Sequence, residues 1–453
     1  MSLRRKIEWC GKHGVLPHKT GKHQCQQGFS DCFASKRPTI NDFHSNFALS
    51  PAPAHSHAHH HTPRWLLALL LAGLAMLGPF AIDTYIPAFI GMGRDLQAST
   101  LQMQQTLSVY LAAFAFMFLF HGALSDSFGR KPVIIAGLIG FFIGSVGCAL
   151  SDDVGTLLIF RAVQGLSVGA GMVVGRAMIR DLFNETDAQK LMALVTLWFG
   201  IAPAIAPIIG GYLYVWFGWH SIFWFLAALT AALMVVIVTS IHETLPEDKR
   251  QPFRPRPLFA GYREVGANVP FLLLSLAVGL NFNAFFLYFM SAPVYVPQSL
   301  KLGPQEFAWL FIPGITGIMA GAFISGRVAG KFSYAKTIGL AYRFMAGAAV
   351  VNVFYVIYFD SSVPWAVVPI FVYAIGSAMA MPSLSLLVLD MFPTRRGMAA
   401  SLQGFVSGLI NAMVAGVISP AVSHSPVLLA VTMLLLMAAG LVCWLTYQRI
   451  RVG

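Results

Sequence analysis

Charged side chains are scarce in this sequence. Asp, Glu, Lys and Arg together make up 11% of its 453 residues, whereas soluble globular domains contain about 25%. Hydrophobic residues make up 57% of the chain. This composition excludes an ordinary soluble domain and is typical of a protein that lies within a membrane.

Cysteine is also rare, with five residues in the chain. Cys148 and Cys443 are single residues inside apolar segments, where a small buried hydrophobic side chain is the simplest interpretation. Cys10, Cys25 and Cys32 lie near the N-terminus, but their spacing matches no zinc-binding pattern. The sequence therefore predicts no disulfide framework, no metal site and no cofactor.

Two motifs of enzymes and pumps are missing as well. The sequence contains no P-loop, so pumping driven by ATP is unsupported, and it contains no H-E-x-x-H metalloprotease motif. The polar–apolar alternation that membrane β-strands require is missing too. We therefore expect neither an enzyme nor a β-barrel.

Long apolar segments dominate the chain from Trp65 onward. Each is about 18–25 residues long, which is enough to cross the hydrocarbon core of a bilayer as a helix. We expect an all-α polytopic membrane protein with twelve spans, near 65–89, 104–124, 133–151, 155–180, 190–215, 219–241, 269–293, 305–326, 337–359, 364–389, 397–420 and 426–448.

The basic residues are unevenly distributed. The formal net charge is +12, but most of the basic residues after the N-terminal region lie at alternate ends of the apolar segments. The loops at the opposite ends carry only Arg94 and Lys301. By the positive-inside rule, both termini and the basic loops lie in the cytoplasm. This distribution indicates membrane topology, and we expect no nucleic-acid partner.

Residues 1–63 differ in composition from the rest of the chain. They include the histidine-rich run from His55 to His61 and lack the apolar region of a signal peptide. We expect a disordered cytoplasmic tail, or residues that lie upstream of the true start codon.

The apolar segments divide into two groups of six at the polar stretch 242–268. Three short markers recur at nearly constant separation: Pro87 with Pro293, Gly122 with Gly326, and Asp181 with Asp390. We therefore expect two pseudo-symmetric six-helix bundles, 64–241 and 269–453, joined by a cytoplasmic linker over 242–268. Repeated halves with a substrate site between them are a common transporter design.

The loop after the second segment reads GALSDSFGRKP, from Gly122 to Pro132. It resembles the G-x-L-x-D-x-x-G-R-K signature of the major facilitator superfamily, which lies between the second and third helices of that family. LLIFRAVQGLSVGAG in the fourth segment resembles the family's R-x-x-Q-G-x-x-x-G element. The resemblance covers about residues 64–453 and implies transport by alternating access.

Two other segments resemble the drug/proton antiporters of that superfamily. GIAPAIAPIIGG in the fifth segment is similar to the G-P-x-x-G-G motif, with Ala206 in place of its first glycine. AIDTYIPAF in the first segment resembles the Bcr/CflA group of bicyclomycin-resistance exporters. The resemblance implies a multidrug efflux antiporter in the bacterial inner membrane.

Two charged residues lie inside apolar segments of the first half. Burial favours the protonated form of a carboxyl group, so Asp83 could exchange a proton near neutral pH. The resemblance ties Arg161 to proton transfer, and a nearby cation would favour the ionised carboxylate. We expect both to couple protons to transport. The alternatives are a solvated residue at the membrane rim for Asp83 and a helix-end, snorkelling side chain for Arg161.

The signature loop is expected to act as a conformational latch. Its acid could face the N-terminus of the eleventh segment near Gly397, and Arg130 could pair with Asp181. Both contacts would hold the outward-facing state and break on inward opening. The alternative is a simple topology anchor. The expected latch residues are Gly122, Asp126, Gly129, Arg130 and Asp181.

The antiporter-like motif is expected to form a hinge. Pro203 and Pro207 each remove a helix hydrogen bond, and Gly210 and Gly211 allow close approach of a neighbouring helix. Ordinary membrane-helix packing is the alternative explanation.

Aromatic and amide side chains could line an apolar substrate cavity suited to amphipathic or hydrophobic drugs. The alternative for each aromatic residue is packing or lipid contact. The expected lining residues are Tyr85, Tyr110, Trp198, Asn281, Asn283 and Phe285.

Together these features predict a monomeric, proton-driven exporter of drugs or other small toxic molecules, with substrate, protons and the lipid bilayer as its partners. The main alternative is the same fold exporting a metabolite, such as an amino acid or a sugar. A more distant alternative is a non-transporting membrane sensor or scaffold, which would need a signalling domain.

Deletion of residues 2–62 is expected to leave transport unchanged, because none of the apolar segments lies in this region. The measurement compares transport by the full and shortened chains at equal membrane levels. Loss of transport at an unchanged membrane level would contradict this expectation.

Overall fold

The structure is a computed structural model that describes residues 64–183 and 185–452. Within these ranges the regular secondary structure is helical and contains no β-strand. The expected tail, residues 1–63, lies outside the described residues. The described residues belong to one compact unit, Thr62–Gly453.

The part of the chain before the polar linker forms eight α-helices among the described residues, with a 3-10 turn at Ile86–Ala88 between the first two. The helices are α1 (Arg64–Asp83), α2 (Phe89–Asp95), α3 (Thr100–Phe118), α4 (His121–Phe128), α5 (Arg130–Ala149), α6 (Val154–Leu182), α7 (Glu185–Phe217) and α8 (His220–Ser240).

The rest of the described chain forms nine α-helices, with a π-helical turn at Val414–Ile418 between the seventh and eighth of them. They are α9 (Pro255–Gly266), α10 (Val269–Met290), α11 (Ala292–Gln298), α12 (Ala308–Val328), α13 (Tyr334–Tyr358), α14 (Val368–Asp390), α15 (Arg396–Met413), α16 (Ser419–Val422) and α17 (Pro426–Val452).

The membrane spans agree with the expected architecture. In the described chain, 11 spans are long and apolar enough to cross a membrane, and α3 with α4 form a twelfth that is bent by 49°. The prediction of an all-α polytopic membrane protein is therefore confirmed. We call the side on which the loops with Arg130, Arg327 and Arg395 lie the basic side of the molecule.

Polar side chains define where several spans begin. Ser99 forms a capping box with Gln102 at the start of α3, and Asp153 accepts hydrogen bonds from two backbone N–H groups of α6. Asn268 caps α10 in the same way, with 2.9 Å from the Phe271 nitrogen to its side-chain oxygen. Such caps satisfy N–H groups that have no partner within the helix.

The first span of each half is interrupted at the same place. In the first half, α1 ends at Asp83 and the chain continues through the turn that contains Pro87. In the second half, α10 ends at Met290 and α11 begins at Ala292, with Pro293 in its first turn. Proline removes a backbone donor, so both positions favour a break. The 3-10 turn and α11 pack against each other across the two groups of six spans.

Among the described residues, five pairs of elements join the two groups of spans most closely. The helix α3 packs against α15, the π-helical turn and α16, while α7 packs against α12 and the 3-10 turn packs against α11. Far from the basic side, Gln104 Nε2 lies 3.2 Å from Ser419 Oγ, and Ser108 donates a hydrogen bond of 2.7 Å to the Ala412 carbonyl.

The linker contains a helix that sequence inspection did not reveal. The stretch 242–268 was expected only as a polar connection, but residues Pro255–Gly266 form α9. Pro255 occupies the first turn, where proline is well tolerated because its missing N–H would have no helical partner. Gly261 and Val265 are buried against the rest of the protein, which explains why this charged segment is ordered as a helix.

Candidate proton site and loop network

Arg161 is fully buried in the first group of spans, at 0% exposure. Its Nη1 donates to the Ala81 carbonyl and to Gln164 Oε1, each over 2.9 Å. Gln164 Nε2 in turn donates to Ser145 Oγ over 2.8 Å. The position excludes a snorkelling side chain, because the guanidinium is held inside the bundle by neighbours from α1, α5 and α6.

Two tyrosines enclose the Arg161 guanidinium. Its central carbon lies 4.7 Å from the ring centre of Tyr85 and 4.4 Å from that of Tyr110. Tyr85 exchanges a hydrogen bond of 2.7 Å with Thr106, and Tyr110 donates one of 3.2 Å to the Gly78 carbonyl. Cation–π contacts are strongest when the cation has lost its water, as it has here.

Asp83 is the last residue of α1 and is only 3% exposed. Its Oδ1 has no hydrogen-bond partner among the described residues. The same holds for Nε and Nη2 of Arg161 within these residues. Arg161 bonds to Ala81, two positions before Asp83, yet the described structure contains no ion pair between Asp83 and Arg161. This region therefore contains an acid and a base with unused hydrogen-bonding capacity.

The paired glycines of α7 place that helix directly against the Asp83 region. A methyl group at Gly210 would overlap the carbonyl oxygen of Thr84, the residue that follows Asp83. A methyl group at Gly211 would overlap the carbonyl oxygen of Pro304, which precedes α12 in the second group of spans. These adjacent glycines thus bring α7 into backbone contact with both groups of spans.

The two prolines of the expected hinge, Pro203 and Pro207, lie inside α7, which is continuous from Glu185 to Phe217. In the described conformation the hinge residues therefore form an unbroken helix. The motif contributes to packing through Gly210 and Gly211, where neighbouring backbone comes close to α7. This agrees with the packing role that small residues have in membrane helices.

In the signature loop, Arg130 is the central residue of a small charge network. Its Nε lies 3.0 Å from Asp181 Oδ2, and its Nη1 lies 2.5 Å from Asp126 Oδ1 and 2.7 Å from Ser125 Oγ. Arg130 itself is buried. The pair with Asp181 is the one expected from the sequence.

Asp126 differs from the expectation. Its carboxylate bonds to Arg130, four residues later, and it forms no hydrogen bond or ion pair with α15 in the described part of the chain. The side chain of Asp126 is 51% exposed. A methyl group at Gly122 would meet no atom within 4 Å, so the signature glycine faces open space in this conformation.

Glu243 joins this network, although no motif in the sequence indicated it. Its Oε1 accepts a hydrogen bond from the backbone N–H of Arg130 over 2.9 Å, and its Oε2 accepts one from the backbone N–H of Lys131 over 3.0 Å. The carboxylate therefore caps α5 and favours its positive N-terminal end. Gly129 has φ of 98°, and a side chain there would lie 2.6 Å from Glu243 Oε2. Position 129 therefore requires glycine, because of its positive φ and because of its closeness to Glu243.

A family profile described as Major Facilitator Superfamily matches residues 68–416 of this chain. The chain belongs to this superfamily. Uncharacterized MFS-type transporter YdgK of Bacillus subtilis is 31% identical over 356 residues, covering 78% of this chain and 88% of the relative. Bicyclomycin resistance protein homolog of Haemophilus influenzae is 32% identical over 288 residues, covering 62% and 72%. Multidrug resistance protein D of Escherichia coli is 28% identical over 390 residues, covering 84% and 95%.

A solved facilitator structure shares the fold of this chain. It is a bacterial homolog of the human lysosomal transporter Spinster, in an inward-facing and unoccupied conformation, with a TM-score of 0.65 and 16% sequence identity. The match covers 85% of this chain and 97% of the other. This match shows the fold alone. The superfamily profile and the membrane spans show that this protein is a multi-pass membrane transporter and not an enzyme.

The residues expected to line one cavity of this facilitator fall into several places. Tyr85 and Tyr110 surround Arg161, as described above, whereas Trp198 is 38% exposed on α7. Asn281 donates to the Tyr342 hydroxyl over 2.9 Å within the second group of spans.

Two further expected lining residues also make contacts within the second group of spans. Asn283 donates to Asn411 Oδ1 over 2.6 Å. Phe285 is buried, and its ring lies against α12, where a methyl group at Gly314 would come within 2.9 Å of it. In this conformation, these side chains therefore act as packing and hydrogen-bonding groups between helices.

Replacing Glu243 with alanine is expected to destabilise this facilitator by about 1–2 kcal/mol, because α5 loses a charged cap. The measurement is the unfolding midpoint of the purified protein. Glu247→Ala is the matched control, since that carboxylate is largely exposed and only 3.7 Å from Arg250 in a surface pair. Equal midpoints for the two variants would show that the cap does not stabilise the loop.

Proposed function

We propose that this chain exports drugs or other small toxic molecules across the bacterial inner membrane in exchange for protons. The observations that carry the proposal are the buried carboxyl of Asp83 at the end of α1 and the buried guanidinium of Arg161, which donates to the Ala81 carbonyl of the same helix. Ionisable groups inside a membrane are costly and are retained for function. The names of relatives, a bicyclomycin resistance protein homolog and multidrug resistance proteins, favour drugs as the substrate class.

In this proposal Asp83 carries the proton and Arg161 senses its charge. Loss of the proton would leave a buried carboxylate, which needs a positive partner. The two unpartnered nitrogens of Arg161 could supply that partner after a small shift of α1. Tyr85 and Tyr110 would keep the guanidinium in place while Asp83 is protonated.

The paired glycines connect this chemistry to movement of the helices. Gly210 touches the chain beside Asp83, and Gly211 touches the segment before α12. A shift of α1 on proton exchange would therefore press on α7 and alter its contact with the other half. We propose that the bundles 64–241 and 269–453 move as the two halves of an alternating-access transporter.

The distribution of charge supports an orientation with the basic side in the cytoplasm. The contacts at Gln104–Ser419 and at Gly211–Pro304 then close the external side. Together with the open space beside Gly122, they favour an inward-facing state. In that state Asp126 would have no contact with α15, and outward opening would bring the two together. The Arg130–Asp181 pair lies within the first group of spans, so in this proposal it does not break on inward opening as the sequence suggested.

A drug-sensitivity panel in a bacterium that lacks its main efflux pumps tests the proposed function. Cells producing this chain should resist some amphipathic or hydrophobic compounds, and a protonophore should abolish efflux of a fluorescent member of that set. Unchanged sensitivity to the whole panel, at confirmed membrane levels, would refute drug export. Loss of an amino acid or a sugar from the same cells would instead support the metabolite alternative.

A further inference from the structure

The linker helix α9 has one face that packs on the protein. Val265 is fully buried, and the side chain of Met398, from α15, covers Gly261 so closely that a methyl group there would overlap it within 2.6 Å. Glu264 forms an ion pair with Arg395, just before α15. This face anchors α9 to the start of the eleventh span.

Tyr262 links α9 to the first group of spans. Its hydroxyl donates to the Leu119 carbonyl over 2.8 Å. Leu119 lies at the break between α3 and α4, where the second span bends by 49°. The ring of Phe120, at the same break, contacts that of Phe259 with centres 6.0 Å apart. The linker helix is therefore in direct contact with the bend.

The opposite face of α9 is basic and aromatic. Arg256 and Arg263 on this face and Arg254 at its N-terminal end are exposed, and none of them has an ion-pair partner among the described residues. Phe259 lies between them and is 54% exposed. The exposed arginines thus have no ion-pair partner in the described part of the chain, whereas Glu264 on the anchored face is paired with Arg395.

The helix α9 lies on the basic side of the molecule, next to the ends of two membrane spans. The helix follows a span that ends at Ser240 and precedes one that begins at Val269, both on the basic side. An interfacial helix with cationic and aromatic side chains binds anionic lipid through charge and through apolar insertion. Arginine near an anionic leaflet is attracted by its negative surface potential.

We propose that the exposed face of α9 binds anionic phospholipid headgroups, and that this binding controls the bend of the second span through Tyr262. The lipid holds Arg254, Arg256 and Arg263 at the surface of the leaflet. Tyr262 then transmits the position of α9 to the Leu119 carbonyl at the bend. The proposal concerns lipid recognition and does not depend on which substrate is transported.

Native mass spectrometry of the purified full chain with phosphatidylglycerol and phosphatidylcholine tests the binding step. Each arginine is expected to contribute about fivefold to the preference for the anionic lipid. The triple variant Arg254→Gln, Arg256→Gln, Arg263→Gln should therefore lose more than about tenfold of that preference. The matched control neutralises three basic residues of another loop on the same side: Arg327→Gln, Lys331→Gln and Lys336→Gln. An unchanged preference in the first variant, or an equal loss in both, would overturn the proposal.

A spin-label distance tests the link to the bend. Labels introduced by Phe116→Cys and Phe128→Cys, both exposed positions on either side of the break, report the angle between α3 and α4 once the five native cysteines have been replaced. In nanodiscs, phosphatidylglycerol should shift or narrow the distance distribution relative to phosphatidylcholine. Tyr262→Phe should retain lipid binding but lose this shift. An identical lipid response with Tyr262→Phe would refute the role of the hydroxyl.

Discussion

Replacing Asp83 with asparagine is expected to reduce drug resistance to the level of cells without the transporter, while the protein stays folded. Asparagine has nearly the same shape as aspartate but has no exchangeable acidic proton. The carboxyl is buried and has an unpartnered oxygen among the described residues. The neutral amide places no charge at this buried position, so the fold should be retained. Uphill export should therefore stop, whereas drug binding should persist.

Asp152→Asn is the matched control for this variant. Asp152 is an exposed acid in the connection between α5 and α6, so its removal eliminates one carboxylate without touching the buried site. Resistance and proton-driven efflux should equal those of the unmodified chain. If Asp83→Asn retained full resistance and full proton uptake, another residue would have to carry the proton.

Replacing Gly210 with valine is expected to abolish transport by separating α7 from the chain beside Asp83. Even a methyl group at this position would overlap the backbone carbonyl of Thr84, which no side-chain rotation can relieve. Overpacking of a tight interior commonly costs about 1–3 kcal/mol. Here we expect the loss of activity to exceed the loss of stability, because the displaced contact is the one that joins Asp83 to α7.

Gly200→Val tests whether this effect is specific to the contact. Gly200 lies on the same helix, but a methyl group there meets no atom within 4 Å. Transport by this variant should remain close to normal, and both variants should reach the membrane in equal amounts. Similar losses in the two variants would indicate a general sensitivity of α7 and would contradict the proposed contact.

The number and class of spans could be predicted because hydrophobic length is a local property of the sequence. The pair between Arg130 and Asp181 was also predictable, since charge placed both residues on one side of the membrane. The environment of Asp83 was not predictable in this way. Whether an acid near a helix end is buried depends on which neighbours cover it, here including a helix more than 100 residues later.

Other features depend on contacts between distant parts of the chain. Glu243 caps α5 although it lies 113 residues after Arg130, and no local motif announces that contact. The helix α9 is rich in proline and arginine, and its order comes from packing on α15. Asn281 was expected at the substrate cavity, but the rotation of α10 directs it to Tyr342. The spacing of α10 residues alone did not determine that rotation.

Proton release on drug binding is the measurement that tests the central claim most directly. The purified transporter, in weakly buffered solution with a pH indicator, is mixed with a drug identified by the sensitivity panel. If drug and proton compete through Asp83, the unmodified protein should release protons on binding, and its affinity for the drug should fall as pH is lowered. Asp83→Asn should bind the drug without proton release and with no such pH dependence. Proton release of equal size from both proteins would contradict the account.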